Sequence, residues 1–183
     1  LWIQEFIEKR YPSIYVAIGS TVAPVLGEYE RTNAAILSAH LGSAARRDMD
    51  TTKALLGSRG LSRPFLVMQS NGGCMWDEEV AIRPLNLIAS GPVGGIIGAA
   101  KLGEQLGYRN IIVTDMGGTS FDVGVIADGS PLLSDSAVYS RIKVALPHVE
   151  VISIGAGGGS IAWMDSATGI LKVGPQSAGS VPG

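Results

Sequence analysis

The sequence predicts an α/β fold, and three observations carry that prediction. Hydrophobic residues make up 46% of the chain and charged residues only 16%, with 25 glycines among 183 residues. That balance suits a buried core joined by many tight turns rather than a disordered polymer. Short β-branched apolar runs alternate with longer runs of apolar residues at helical spacing. The stretch VTDMGGTSFDVGV, Val113 to Val125, sets a glycine turn between two apolar segments, the pattern of two strands joined tightly.

Trp2 or Ile3, with Phe6 and Ile7, falls at helical spacing and predicts a helix over 1–10 that Pro12 closes. The run IYVAI predicts a strand over 14–18. Ile36, Leu37 and Leu41 share one face of a helix over 34–45, with Thr32 or Asn33 as its N-cap. A second helix over 50–56 stops at Gly57 or Gly60. FLVMQ predicts a strand over 65–69 that runs straight into SNGG, and 84–89 predicts another. From Pro92, PVGGIIGAAKLGEQLG repeats Ile96, Ile97, Ala100 and Leu106 at helical spacing until Gly107 ends the helix. NIIVT, 110–114, is the strand into the glycine turn at Met116–Ser120, and FDVGVIADG is the antiparallel strand out of it. From Glu150 onward, EVISIGAGGGSIAWMD through ILKVGP reads as short strands joined by glycine. There are no repeats and no low-complexity segment. The chain opens on Leu1 and closes on VPG, and the expectation is a piece of a longer protein.

Fourteen Lys and Arg against sixteen Asp and Glu give a formal charge of -2, which offers no electrostatic footprint for nucleic acid or an anionic membrane surface. The apolar runs fall short of a membrane span. Cys74 is the only cysteine, which rules out an internal disulfide and a cysteine cluster for zinc or iron and sulfur. A reducing compartment fits, and a cytoplasmic location is expected.

The chemistry concentrates in DMGGTSFD. Two glycines between strands let the backbone turn with its N–H groups outward, a concave row of donors that suits an anion. Asp115 stands at the end of the incoming strand, placed to hold a Mg²⁺ that neutralises phosphates. Thr119 and Ser120 add hydroxyl donors, and Asp122 is placed either to orient water or metal or to brace the loop. The competing reading is a plain hairpin turn in which Asp accepts backbone hydrogen bonds. Other signatures fail. No glycine is followed by lysine, so there is no P-loop. GAGGGS at Gly155–Ser160 begins like a dinucleotide fingerprint, but a strand pattern follows where that site needs a helix. G-x-S-x-G is absent. His40 reads as packed or solvated on a helix, His148 is open to either a loop or a chemical role, and Cys74 reads as an inert buried thiol. No residue is assigned as catalytic.

VTDMGGTSFDVGVI resembles the second phosphate motif of the actin, Hsp70 and sugar-kinase superfamily. Around it EYERTN (Glu28–Asn33), LVMQSNGG (Leu66–Gly73), SGPVGGIIGA (Ser90–Ala99), SIGAGGGSIAW (Ser153–Trp163) and VGPQSAGSVPG (Val173–Gly183) resemble, in the same order, the hydantoinase A and 5-oxoprolinase family. The resemblance implies that residues 1–183 are an internal part of an actin-like (ribonuclease H-like) ATPase fold, carrying the second phosphate loop in a hairpin at about 110–127. The family's first phosphate motif is absent from these residues. It further implies ATP with Mg²⁺ as cofactors, Asp115, Gly117, Gly118, Thr119 and Ser120 as phosphate contacts, and ATP-dependent opening of a cyclic amide of the hydantoin or 5-oxoproline type. The alternatives are an ATP-binding subunit of an acetone carboxylase-type enzyme and an Hsp70-like chaperone ATPase. A small-molecule substrate and a second subunit of the hydantoinase B type are the implied partners. With half the phosphate clamp missing, the isolated chain is expected to bind ATP weakly and to turn nothing over. Phe121 departs from the family's usual threonine, and the alanines after ERTN replace a run richer in Ser and Thr.

Overall fold

The computed structural model describes residues 2–139 and 141–180. In chain order the elements are α1 (Trp2–Arg10), α2 (Gly19–Val22), α3 (Glu28–Ser58), β1 (Leu66–Met68), β2 (Cys74–Trp76), two short 3₁₀ turns (Asp77–Ala81 and Pro84–Leu87), α4 (Ser90–Leu106), β3 (Ile111–Met116), β4 (Phe121–Ala127), β5 (Ser130–Pro131), β6 (Leu133–Ser134), β7 (Ala137–Tyr139), β8 (Ile142–Val144), β9 (His148–Val149), β10 (Val151–Ile154), β11 (Ser160–Met164) and β12 (Leu171–Ser177). They form two compact units. The first comprises Leu1–Ser90 and Leu133–His148, the second Gly91–Leu132 and Val149–Gly183. The mixed α/β class is as expected. No described helix is long and apolar enough to cross a membrane.

The first unit is built on α3, a single helix of 31 residues where the sequence reading expected two, over 34–45 and 50–56. The linking residues Arg46, Arg47, Asp48 and Met49 contain no glycine or proline, and nothing there interrupts the hydrogen-bond ladder. The helix also starts earlier than expected. Gly27 is its N-cap and Glu28 and Glu30 lie in the first turn, where carboxylates complement the helix dipole. Asn33, expected as a cap, instead donates its side-chain amide to the Lys143 carbonyl at 2.9 Å. Ala34 and Ala23 pack with Leu85, Ala137, Val144 and Leu146, while Ala45 packs with Met75 and Val80.

Two expected strands of this unit are corrected. Residues 14–18 form no strand among the described residues, Ile14 lying in a bend, because Tyr15 ties the segment to its neighbours instead. Its hydroxyl donates to the Ala81 carbonyl at 2.7 Å, and its ring occupies the space that a Cβ at Gly42 would need, 2.5 Å from Tyr15 Cε2. Residues 84–87 form a 3₁₀ turn rather than a strand. Pro84 has no N–H to give a ladder, and its fixed φ suits a first helical turn. SNGG makes the β1–β2 turn, where Gly73 N–H donates to Asn71 Oδ1 at 2.9 Å.

In the second unit α4 packs on an antiparallel sheet ordered β10-β4-β3, with β5 beside β4. The register pairs Ile111 with Ile126, Val113 with Gly124, and Asp115 with Asp122, while Val151 opposes Gly124 and Ser153 opposes Asp122. Alternate residues of a strand share a face. One face therefore presents an apolar part, where Ile111, Val113, Ile126 and Val151 meet Val93 and Ile96 of α4, and a polar row of Asp115, Asp122 and Ser153 at the turn end. Gly124 lets the helix come close, since a Cβ there would lie 2.5 Å from Ile96 Cγ1. β11 and β12 form a separate hairpin, closed by Trp163 Nε1–H donating to the Gly174 carbonyl at 2.7 Å.

Candidate functional site

The hairpin expected at 110–127 is β3 and β4, Ile111–Ala127, with Met116 paired to Phe121 and Gly117–Ser120 as the connection. Gly117 N–H donates to the Ser120 carbonyl at 3.1 Å and closes the turn. Gly117 and Thr119 are exposed, and Gly118 and Ser120 are half-buried. The N–H groups of Gly118, Thr119 and Ser120 donate to no backbone or side-chain acceptor among the described residues. The carbonyls of the turn are occupied instead: Gly158 N–H donates to Gly117 O at 2.9 Å and Gly159 N–H to Gly118 O at 2.7 Å. The two glycines of the turn differ in their reason for being there. A Cβ on Gly117 would meet open space, whereas one on Gly118 would lie 2.7 Å from Ser180 Cα, so packing alone demands glycine at 118.

The two acids also differ. Asp122, half-buried, accepts hydrogen bonds from Ser120 Oγ at 3.2 Å and from Ser153 Oγ, and so braces the turn. Asp115 is exposed and accepts no hydrogen bond among the described residues, which removes the support for a turn-capping role. The two carboxylates sit directly opposite each other in the ladder, an arrangement in which like charges repel. Beside them is a niche of about 10 Å³ walled also by Pro92 and Ile96, the room of one water or small ion.

These residues fit ATP and Mg²⁺. Three unpartnered N–H groups on a glycine turn suit phosphate oxygens, and the exposed Asp115, which accepts no hydrogen bond among the described residues, suits a cation. The described residues contain no group of three His, Cys, Asp or Glu able to hold a metal. Two carboxylates at most match the way Mg²⁺ is usually held, by one or two carboxylates with phosphates and waters completing its shell.

The remaining candidates lie elsewhere. His40 is exposed on α3, and the half-buried His148 holds its Nδ1 3.0 Å from the Leu146 carbonyl. Cys74 is exposed at the start of β2, not buried as the sequence reading expected. GAGGGS leads into strand β11 rather than a helix, so it has no dinucleotide-type architecture. Sequence reasoning missed Ser153 and Ser177, whose Oγ donates to Gly118 O at 3.1 Å. It also missed that Gly157–Gly159 lie against the turn. Only the glycine triplet itself signalled a close backbone approach there.

Comparison with known proteins supplies the family. The hydantoinase/oxoprolinase family model matches residues 31–183. The acetone carboxylase beta subunit of Xanthobacter autotrophicus is 38% identical over 97% of this chain, which spans 24% of that protein. The caprolactamase subunit alpha of Pseudomonas jessenii is 36% identical over 97% of the chain, which spans 25% of it. The 5-oxoprolinase of Saccharomyces cerevisiae is 30% identical over 92% of the chain and 13% of its own length. The nucleotide-free structure of acetone carboxylase superposes with a TM-score of 0.81 at 38% identity over 97% of this chain and 25% of its own, and that of the ATP-dependent caprolactamase of P. jessenii with 0.71 at 33% over 98% and 26%. This chain thus spans about a quarter of the length of its bacterial relatives. With the family model covering most of its residues, the chain belongs to the hydantoinase/oxoprolinase family.

Proposed function

We propose that this chain is a segment of an actin-like ATP-binding domain in an enzyme that opens cyclic amides of the hydantoin or 5-oxoproline type. The observation that carries the proposal is the Gly117–Ser120 turn, with three N–H groups that have no partner among the described residues beside the opposed Asp115 and Asp122. In this reading Gly118, Thr119 and Ser120 hold phosphate oxygens through their backbone N–H groups, with Gly117 allowing close approach. Asp115 takes the Mg²⁺, and Asp122 keeps the Ser120 hydroxyl and the turn in place. When bound, ATP would supply a phosphoryl group to the amide oxygen with release of ADP, so that this oxygen could depart as phosphate once water attacks the carbon. The residues here contribute electrostatic preorganisation rather than covalent chemistry.

Two related structures, of an acetone carboxylase whose carboxylation is ATP-dependent and of an ATP-dependent caprolactamase, support the ATP dependence. The similarity to the acetone carboxylase beta subunit, at 38% identity, favours a second reading of the same site, in which the activated substrate is carboxylated. Both relatives are named as subunits, which supports a hetero-oligomer with a partner of the hydantoinase B type. The lone Cys74 fits a cytoplasmic enzyme.

The test uses the full-length protein with its partner subunit. ADP release is measured with 5-oxoproline, a hydantoin or a lactam, and separately with acetone and bicarbonate. Asp115→Asn keeps the shape and removes the charge, and lowers ATP-dependent turnover by roughly two orders of magnitude. Wild-type turnover in that variant, or turnover without ATP, refutes the assignment.

A further inference from the structure

We propose that the glycine loop Gly155–Ser160, together with Ser177–Gly179, is a back plate that aims the phosphate turn, and that Gly157 and Gly159 are positioning residues for nucleotide binding. The inference rests on the reading that the turn holds phosphate, and it assigns the second glycine loop a part in that site.

The argument starts from peptide geometry. In a planar trans peptide the carbonyl and the N–H that follows it point in opposite directions. Gly117 O is held by Gly158 N–H at 2.9 Å, which turns the N–H of Gly118 away from the loop. Gly118 O is held by Gly159 N–H at 2.7 Å and by Ser177 Oγ at 3.1 Å, which turns the N–H of Thr119 away in the same manner. The back plate is itself tied together: Ala178 N–H donates to Gly159 O at 2.7 Å, Gly179 N–H to Ser177 Oγ at 2.9 Å and Gly157 N–H to Ser160 Oγ at 2.9 Å. The N–H groups of Gly118 and Thr119 are thus aimed by what grips the carbonyls of Gly117 and Gly118.

The glycines divide cleanly by what a side chain would strike. A Cβ at Gly157 would lie 2.7 Å from Gly117 O, Thr119 N and Ser120 N, and one at Gly159 would lie 2.5 Å from Gly179 O and 2.8 Å from Gly118 O. At Gly158 the nearest atom is 3.7 Å away, and at Gly155 there is none within 4 Å. None of the four has the positive φ that would itself demand glycine. Glycine is required only at the two positions that touch the turn's backbone, which is the signature of packing against the turn rather than of a loose connection.

The experiment titrates Mg·ADP into the full-length protein by calorimetry and measures KM and kcat for ATP. Gly157→Ala and Gly159→Ala weaken Mg·ADP binding and raise the KM for ATP by roughly tenfold or more, because a displacement of about 1 Å suffices to misalign such a site. Gly98→Ala, on α4 with no atom within 4 Å of the added methyl, matches wild type. Ser177→Ala, which removes one grip on Gly118 O and the acceptor of Gly179 N–H without adding an atom, weakens Mg·ADP binding and raises the KM for ATP more than it lowers kcat. Wild-type affinity in Gly157→Ala overturns the proposal. Should Gly157→Ala fail to fold, wild-type affinity in Ser177→Ala overturns it equally. The two levels separate: wild-type protein that ignores Mg·ADP, or binds it independently of Asp115, defeats the nucleotide reading itself. Asp115-dependent binding that is indifferent to Gly157 and Ser177 defeats only the back plate.

Discussion

Gly124→Ala tests whether the approach of α4 to the hairpin sets the second unit. The added methyl would lie 2.5 Å from Ile96 Cγ1 and closer still to Cδ1, against the roughly 3.5–4.0 Å at which carbon atoms rest. Ile96 is 2% exposed and is enclosed with Val93, Ile126 and Val149, so the overlap of about 1 Å forces a backbone shift or an off-rotamer side chain. Overpacking of this kind costs about 1–3 kcal/mol, offset by the roughly 0.5–1 kcal/mol that alanine gains over glycine inside a regular element. The net loss is about 1–2 kcal/mol, which lowers the melting temperature of a unit this small by roughly 5–15 °C. Ile96→Ala alone costs about 2–5 kcal/mol by leaving a cavity. In the double variant the new methyl fills part of that cavity, so Gly124→Ala becomes neutral or stabilising, and the coupling is about 1–3 kcal/mol. Denaturant melts followed by circular dichroism, with hydrogen exchange of the β4 amides, measure all four proteins. Additive costs in the double variant would refute the contact.

Asp115→Asn relieves the repulsion across the ladder from Asp122, so the nucleotide-free protein is as stable as wild type or gains about 0.2–1 kcal/mol, as a thermal melt without Mg²⁺ reads directly. Gly42→Ala drives a methyl into the Tyr15 ring, strains its hydrogen bond to Ala81 and lowers stability by about 1–3 kcal/mol. Gly57→Ala, on the same helix with no atom within 4 Å, raises it by about 0.5–1 kcal/mol in the same assay. Asp77 is buried and accepts from Lys53 at 2.6 Å and from Phe65 N–H at 3.2 Å. Lys53 chiefly, with the Phe65 N–H helping, holds its carboxyl below the usual range. A lowered folded-state pKa contributes stability above the unfolded value, about 3.9, that is lost as pH falls through the folded one. The melting temperature of the first unit therefore drops as the pH is lowered below about 4, and Asp77→Asn flattens that limb in an acid titration. The Lys53 ammonium is held above the ordinary amine range by the same partner, so its share is present at neutral pH and is lost only as strong alkali passes its folded-state value.

What the sequence made legible is local. The period of two in Ile111, Val113 and Asp115, and the glycines that break it, place both strands and the turn. The helix over 92–106 is equally legible from Ile96, Ile97 and Ala100. The register was not: the expected turn at Met116–Ser120 is centred on Gly118 and would set Asp115 opposite Phe121, whereas the connection Gly117–Ser120 sets it opposite Asp122. What else was not legible depends on distant partners. IYVAI has strand-like residues but no strand beside it, because Tyr15 is anchored on Gly42 of α3 and on Ala81, contacts that no local window contains. Arg46–Met49 carries no apolar stripe and so reads as a gap between helices, though it also lacks any breaker. The back plate escaped for the same reason: Gly157 and Gly117 are far apart in sequence, and a glycine triplet in a loop announces a close approach without saying to what.

The proposal that the metal goes to Asp115 rather than to Asp122 rests on where each stands in the sheet. In the order β10-β4-β3, Asp122 lies on the central strand and has cross-strand neighbours on both sides, Ser153 on β10 and Asp115 on β3. Its oxygens are accordingly taken up by the hydroxyls of Ser153 and Ser120, and drawing it onto a cation would break both hydrogen bonds and loosen the turn. Asp115 lies on β3, the edge strand among the described residues, with Asp122 as its one cross-strand neighbour. That neighbour repels it, no donor compensates, and it faces solvent. A cation at the turn end is therefore the partner that relieves Asp115 at no cost to the brace. Two identical side chains in one short motif thus divide by strand position into a brace and a proposed ligand, a distinction that their shared chemistry does not contain.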